Sequence, residues 1–509
     1  MKSLNKIWQT NIALVLLAVL ITSSGCKKML DTRAQGSYNL DDYPYPTGSG
    51  PYDQFIFGAY NELRAFNLHS QSFITAFSIR SDDADKGSTP TDGGANASDM
   101  DLFPVKPENG FCNTLWIGNY GLIERCNQAL KNIRDRVDIV APEDVKNQSI
   151  AEVRFLRAYA YFNLVRLFGR VPLIDSIGGP ANVAQSTATQ IYTFIENELN
   201  FARTNLQASW DQAKFPGRVT SGAANGLLAK VYLTQKKWDM AMATANTVMT
   251  SGQYNLSTPY STIFGETGEN SKESVFEVQA TASSAVPVLN GVQYAQIQGV
   301  RGAGVWDLGW GWNMPSGYLE AAYEVNDPRR ARTILYTNAG ATTVYGEALP
   351  SGLPNPKYNH KVYSNPAMRA SIGNRFGYWM NIRLLRYADV VLMYAEAANE
   401  VGGTDNITAA KNALNSVRAR ARQGAPAGTL PDITTNDQAT LRDFIRHERR
   451  IELAMEHDRF FDLVRWGVAQ TVLNASGRPN FSDARDVLLP IPQTQIDISS
   501  NLLTQNPGY

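Results

Sequence analysis

Apolar side chains recur at three- and four-residue spacing through much of the chain, the period of helices with one buried face. The pattern predicts helices over Tyr52–Phe66, with Phe55, Ala59 and Leu63 on one face, and then over Leu115–Val137, Gln148–Phe168 and Gln190–Leu206. It predicts a helix pair in Ser221–Met249, divided by a two-residue Lys turn, and a second pair in Leu384–Glu400 and Ile407–Ala421, divided by Gly402 and Gly403. Small residues such as Ala229, Ala241 and Ala245 let paired helices approach closely, as in tetratricopeptide repeats. The repeats are degenerate, and a plain helical bundle fits the same pattern. Two stretches lack periodicity, 81–112 and 255–380, both rich in Gly, Pro and Ser; within the second, Ser274–Gln279 alternates like a short strand. Aperiodic stretches of that length inside a domain are where function or disorder is expected.

The densest pattern is Leu441–Trp466, read as a continuous helix because neither Gly nor Pro interrupts it. Glu448, Glu452 and Glu456 recur every four residues, so they share a face and repel unless cations lie beside them. Arg446, Arg449, Arg450, Arg459 and Arg465 are interleaved, and Phe444, Ile451, Met455, Phe460 and Leu463 offer apolar surface for burial. The combination predicts an ion network between helices. A zinc helix is not indicated: His447 precedes Glu448, but no second His follows four residues after the first, and His457 lies off that face.

The run from Arg446 to Gly467, R-x-E-R-R-x-E-L-x-x-E-x-x-R-F-F-D-L-x-R-W-G, resembles the signature of the SusD/RagB family of outer-membrane nutrient-binding lipoproteins. That family usually has Gly where His457 stands. The stretch AEVRFLRAYAYFNLVRLFGRVPLI, beginning at Ala151, and the closing segments LLPIP and QNPGY are similar to the family too. The resemblance runs from Cys26 to Tyr509, dense in the helices and faint in the loops. It implies a mainly α protein in which four tetratricopeptide-like helix pairs form a scaffold, with an irregular, loop-rich ligand-binding region. It also implies partnership with a TonB-dependent, SusC-like outer-membrane transporter.

The N-terminus agrees with an exported protein. Lys2 and Lys6 precede an apolar run, Ile12–Ile21, too short to span a bilayer but suited to a signal peptide over residues 1–25. Ser23, Ser24 and Gly25 lead into Cys26, a lipobox-like junction, so Cys26 is the expected lipidation site and 26–509 the expected SusD-like domain, tethered at the outer membrane. Removing residues 1–25 takes away Lys2 and Lys6 and leaves 45 basic against 47 acidic side chains, a balance that argues against nucleic acid. An exported setting permits a Cys112–Cys126 disulfide, but one helix holding both would separate them by roughly 21 Å, so a bridge requires a turn between them.

Sugars present hydroxyl-bearing edges and C–H faces, so a site for them needs flat aromatic surface with polar side chains around it. Val305–Tyr318 concentrates Trp306, Trp310 and Trp312 among glycines, with Asp307, Asn313 and Tyr294 as candidate hydrogen-bonding groups and Arg301 to stack or pair. The early loop adds Arg80, Asp82, Asp83 and Asp85, with Phe103 further on; in the resembled family the ligand loops come from these two regions. An EF-hand starting at Asp83 is excluded, because Gly87 falls one place early and position twelve is Gly94. No catalytic motif, metal site or cofactor motif is found. The expected function is therefore capture of an oligosaccharide or similar oligomer at the cell surface and its delivery to the transporter. A surface glycoside hydrolase and a protein-binding tetratricopeptide scaffold are the alternatives.

Overall fold

A computed structural model describes residues 50–337 and 340–509, which lie in one compact unit, 46–509. The signal segment, Cys26 and the tether lie outside the described residues. The fold is mainly helical. The helices that carry the argument are α1 (Asp53–Glu62), α2 (Gly94–Leu102), α3 (Gly110–Asp135), α4 (Glu143–Phe168), α5 (Ala188–Asn205), α6 (Ser221–Thr234), α7 (Trp238–Met249), α8 (Tyr387–Val401), α9 (Thr404–Ala421), α10 (Gln438–Glu452) and α11 (Arg459–Trp466). Neighbours in the series α3 to α9 pack against each other, α7 on α8 across the long insertion, and α10 lies on α8. Helix starts follow local chemistry: Thr187 and Gln190 form a capping box on α5, and Asp437 accepts the Thr440 amide of α10. Close approach is bought by small residues. A Cβ on Gly118 of α3 would lie 2.2 Å from the Asn67 carbonyl oxygen.

Four short strands matter for position: β1 (Ala84–Gly87), β2 (Ser274–Val278), β3 (Trp312–Pro315) and β4 (Ile382–Arg386). β1 pairs antiparallel with β3, Gly87 opposite Trp312, and so joins the two aperiodic stretches; β2 pairs antiparallel with β4. The early stretch is thus less irregular than its composition suggests, since it holds β1 and α2.

Two readings are corrected. Leu441–Trp466 is not one helix: α10 ends at Glu452, Met455 and His457 take positive φ (66° and 77°), and α11 begins at Arg459. The bend falls where the resembled family usually places Gly, the residue that adopts this conformation without steric cost. Phe444 does not join the core but is 38% exposed. The cysteines are also resolved: Cys112 and Cys126 both lie on α3, buried and free.

The ion network is present, with a different set of partners. Glu452 accepts from Arg420, Arg386 and Arg329, Glu448 from Arg329 and Arg418, and Glu456 from Arg386 and Lys361. All these cations come from other elements. The interleaved arginines face elsewhere: Arg449 pairs with Asp389 and Asp462, Arg465 with Glu396, and Arg450 and Arg459 with the early loop. Burial opposes ionisation of Glu452, but the surrounding guanidinium charges outweigh it and hold its carboxyl down at about 2.

Candidate loop platform

The β1–β3 pairing sets the site. Beyond Gly87 the Ser88 amide donates to the Gly311 carbonyl (2.7 Å), and the Ser88 hydroxyl reaches the Trp310 carbonyl and Asp92, each at 2.6 Å. Arg301 donates to both Ser88 and Asp92, closing a small polar knot between the two loops. The Ser88 hydroxyl, foremost, holds Asp92 below the usual carboxylate range. The tryptophan loop is fixed by its backbone: Leu308 N–H donates to Val300, Trp310 N–H to Gln296 and Gly311 N–H to Gly299, at 2.8–3.0 Å. Asn355 donates a further 2.7 Å bond to the Gly311 carbonyl. A loop held by its backbone in this way lowers the ordering cost of binding.

The candidate residues separate by burial. Trp312 is 3% exposed, and a Cβ on Gly93 would meet its ring at 2.5 Å, so this indole fills the space beneath the early loop. Asn313 is buried and donates to Gln298 at 2.7 Å, and the Tyr294 hydroxyl is bonded to the His457 ring. Arg80 is fully buried, its guanidinium 4.1 Å from the Phe460 ring centre and 5.7 Å from that of Phe103, which is itself buried. Asp82 receives two bonds from Arg459 and Asp83 one from Arg450, both acids buried. These seven side chains are therefore turned into the interior and expose little surface. Asp85 is half-buried and 3.3 Å from Arg478.

Trp306, Trp310, Asp307 and Arg301 remain half-buried at the surface. Trp306 packs part of its ring against the small core of Val300, Leu308 and Tyr358, Trp310 packs against the main core, and Val305, beside Trp306 in the chain, is 81% exposed. Asp307 pairs with Arg375 at 2.5 Å, the two side chains 41% and 48% exposed, and the Arg375 guanidinium lies 4.9 Å from the Phe376 ring centre. Asp92, Arg375 and Phe376 were not singled out from sequence. Arg375 stands 68 residues from Asp307, and Arg301 stands 209 from Asp92, so no local spacing connects them. The result is a rigid surface with half-exposed indoles and two solvent-facing Arg–Asp pairs.

A family model described as the SusD family matches residues 244–509, and one described as starch-binding associating with outer membrane matches 53–233. The chain belongs to the SusD family. It is 28% identical over 479 residues to SusD-like protein P2 of Formosa agariphila, covering 89% of this chain and 91% of that one. Among solved structures, a laminarin-binding SusD-like protein superposes with a TM-score of 0.75 at 28% identity, covering 90% of this chain and 99% of that one. Surface glycan-binding protein A from Bacteroides thetaiotaomicron, in complex with laminarihexaose, superposes with a TM-score of 0.74 at 25% identity, covering 89% and 98%. The helical scaffold described above is accordingly the SusD-family scaffold. Among the described residues no helix is long and apolar enough to cross a membrane.

Proposed function

We propose that this SusD-family protein is a surface nutrient-binding lipoprotein, anchored through Cys26 to the outer membrane, that captures oligosaccharides and delivers them to a TonB-dependent, SusC-like transporter. The observation that carries the reading is the braced loop with Trp306 and Trp310 half-exposed beside hydrogen-bonding side chains, an arrangement suited to the C–H faces and hydroxyl edges of sugars. The glycan-binding relatives support the ligand class. Binding without turnover is favoured by the two solvent-facing acids of the platform. A glycosidase needs a general acid with a raised pKa, whereas Asp92 is held below the ordinary range and Asp307 is paired with Arg375. Calorimetry across a panel of neutral glycans, with products analysed after incubation, tests this directly. Binding without products is expected, weakened in Trp306→Ala or Trp310→Ala; product formation, or normal binding by both variants, sinks the reading. For the anchor, Cys26→Ala is expected to release the protein from the membrane fraction of cells lacking the transporter.

A further inference from the structure

The connection between α5 and α6 borders two cavities, neither of which any residue of 301–312 lines. One encloses about 510 Å³ and is lined in part by Gln212, Gln253, Asn270 and Lys272. The other encloses about 290 Å³, with Phe57, Phe215, Arg64 and Lys214 in its walls. Both include Gly217, Arg218 and Glu277, so they adjoin. Gly217 has φ +71°, and a Cβ there would sit 2.2 Å from the Gln279 side chain; the backbone passes directly over that amide. Gln279 is locked by reciprocal bonds with Asn270 at 2.9 and 3.0 Å, so the meeting place of the cavities is built and rigid. Their sizes are near those of small-ligand sites, roughly 300–1,000 Å³.

The charges lean one way. Arg64 donates to the Asn290 carbonyl and the Asn61 amide oxygen and, among the described residues, meets no carboxylate. Lys272 is exposed and has no acidic partner among the described residues. Lys214 is 3.8 Å from Asp211, both largely exposed, a pairing that water screens. The lining contains one carboxylate, Glu277, which is buried and 3.6 Å from Arg383, while Arg218 is engaged by Asp53 and Glu152. The rim thus carries surplus positive charge above walls of amides and aromatic rings. Amides read hydroxyls, Phe57, 46% exposed, offers apolar surface to C–H groups, and the cations call for an acid on the same ligand.

We propose that these adjoining cavities form a second binding cleft, for an acid-bearing oligosaccharide of uronate or sulfated residues, distinct from the tryptophan platform. The sugar class rests on the proposed function; the anionic preference rests on the cleft alone. Hydrogen–deuterium exchange on the full protein with hexagalacturonate, hexamannuronate and a sulfated chondroitin hexasaccharide tests it, with maltohexaose as the neutral control. At least one acidic probe is expected to protect residues 208–220 and 270–279, with affinity falling roughly tenfold from low to molar salt. Lys272→Gln and Arg64→Gln should each weaken that binding roughly tenfold at an unchanged melting temperature, and Trp306→Ala should leave it alone. No protection by any acidic probe, or equal protection by maltohexaose, overturns the assignment. Protection of 301–312 alone leaves the platform standing and removes the cleft; protection of the cleft by an acidic probe, while no neutral glycan protects 301–312, does the reverse.

Discussion

In two regions of this protein, around α10 and across the tryptophan loop, Arg–carboxylate pairs of the same chemistry have opposite consequences. Around α10 the charges are dry. Glu448 and Glu452 are fully buried, and each is shared by two or more guanidinium groups drawn from separate elements. Arg301–Asp92 and Arg375–Asp307 keep between 30% and 48% of their side-chain surface in water. A buried charge that loses a partner cannot turn to solvent, whereas an exposed one can. Position therefore assigns the first network to holding the scaffold together and leaves the second group available to a ligand.

The largest expected effect breaks the dry side. Glu452→Ala leaves Arg420, Arg386 and Arg329 without a shared carboxylate in a buried site and is expected to destabilise the fold by about 3–5 kcal/mol, measured by denaturant midpoint. An unchanged midpoint would show that water reaches this face. Trp312→Ala belongs with it despite its place in the loop. Removing a buried indole costs about 3–5 kcal/mol, so the variant should melt early, while Trp306→Ala should not.

Acid should reach the buried side first. Burial lowers His69 and His360 to about 4 and His457 to about 3, against about 6.5 when unfolded. The unfolded chain then binds more protons between those values, so the stability from keeping these rings neutral is complete above pH 6.5 and is lost as pH falls toward 4. Glu269 runs the other way. Burial, chiefly, raises it to about 7, so its contribution is present below about 4.5 and is lost as pH rises through 7. Glu269→Gln is therefore expected to steepen the loss of stability between pH 6.5 and 4.5, read from melting temperatures across that range.

Much of the scaffold was legible because helix periodicity is local: the predicted helices around α3 to α9 recur with boundaries shifted by a few residues. The need for cations beside Glu448, Glu452 and Glu456 was also legible, because three acids on one face repel wherever they are. Their partners were not. Arg329, Lys361 and Arg386 approach from 66 to 123 residues away, whereas the local pattern offers only the arginines of the same segment. Burial of the loop candidates was illegible for a related reason. Trp306 and Trp312 share the same glycine-rich context, and only the β1–β3 pairing turns Trp312 beneath the early loop while Trp306 stays half-exposed. The break at Met455 and His457 had one sign, the departure from Gly at 457, which marked the turn without giving its form.

On the wet side, Trp306→Ala should weaken binding of a recognised glycan roughly tenfold, about 1.4 kcal/mol, with the melting temperature held. Calorimetry on the two single variants, Trp306→Ala and Trp310→Ala, should give unequal losses, because the rings lean on different cores.

The smallest effect sharpens the comparison most. Arg375→Ala removes a cation from Asp307 as Glu452→Ala removes an acid from its arginines, and in number of charges the changes are alike. Asp307 is 41% exposed, however, so water replaces the lost partner at little cost. Exposed pairs contribute about 0.2–1 kcal/mol, and the denaturation midpoint should move by no more than that. The small difference should shrink further as salt is raised, since screening weakens the pair in the parent protein while leaving the variant unaffected. A loss of several kcal/mol, or one indifferent to salt, would mean that the Asp307 side of the loop is as dry as α10, and that the platform is braced by its charges instead of by the backbone bonds at Leu308, Trp310 and Gly311.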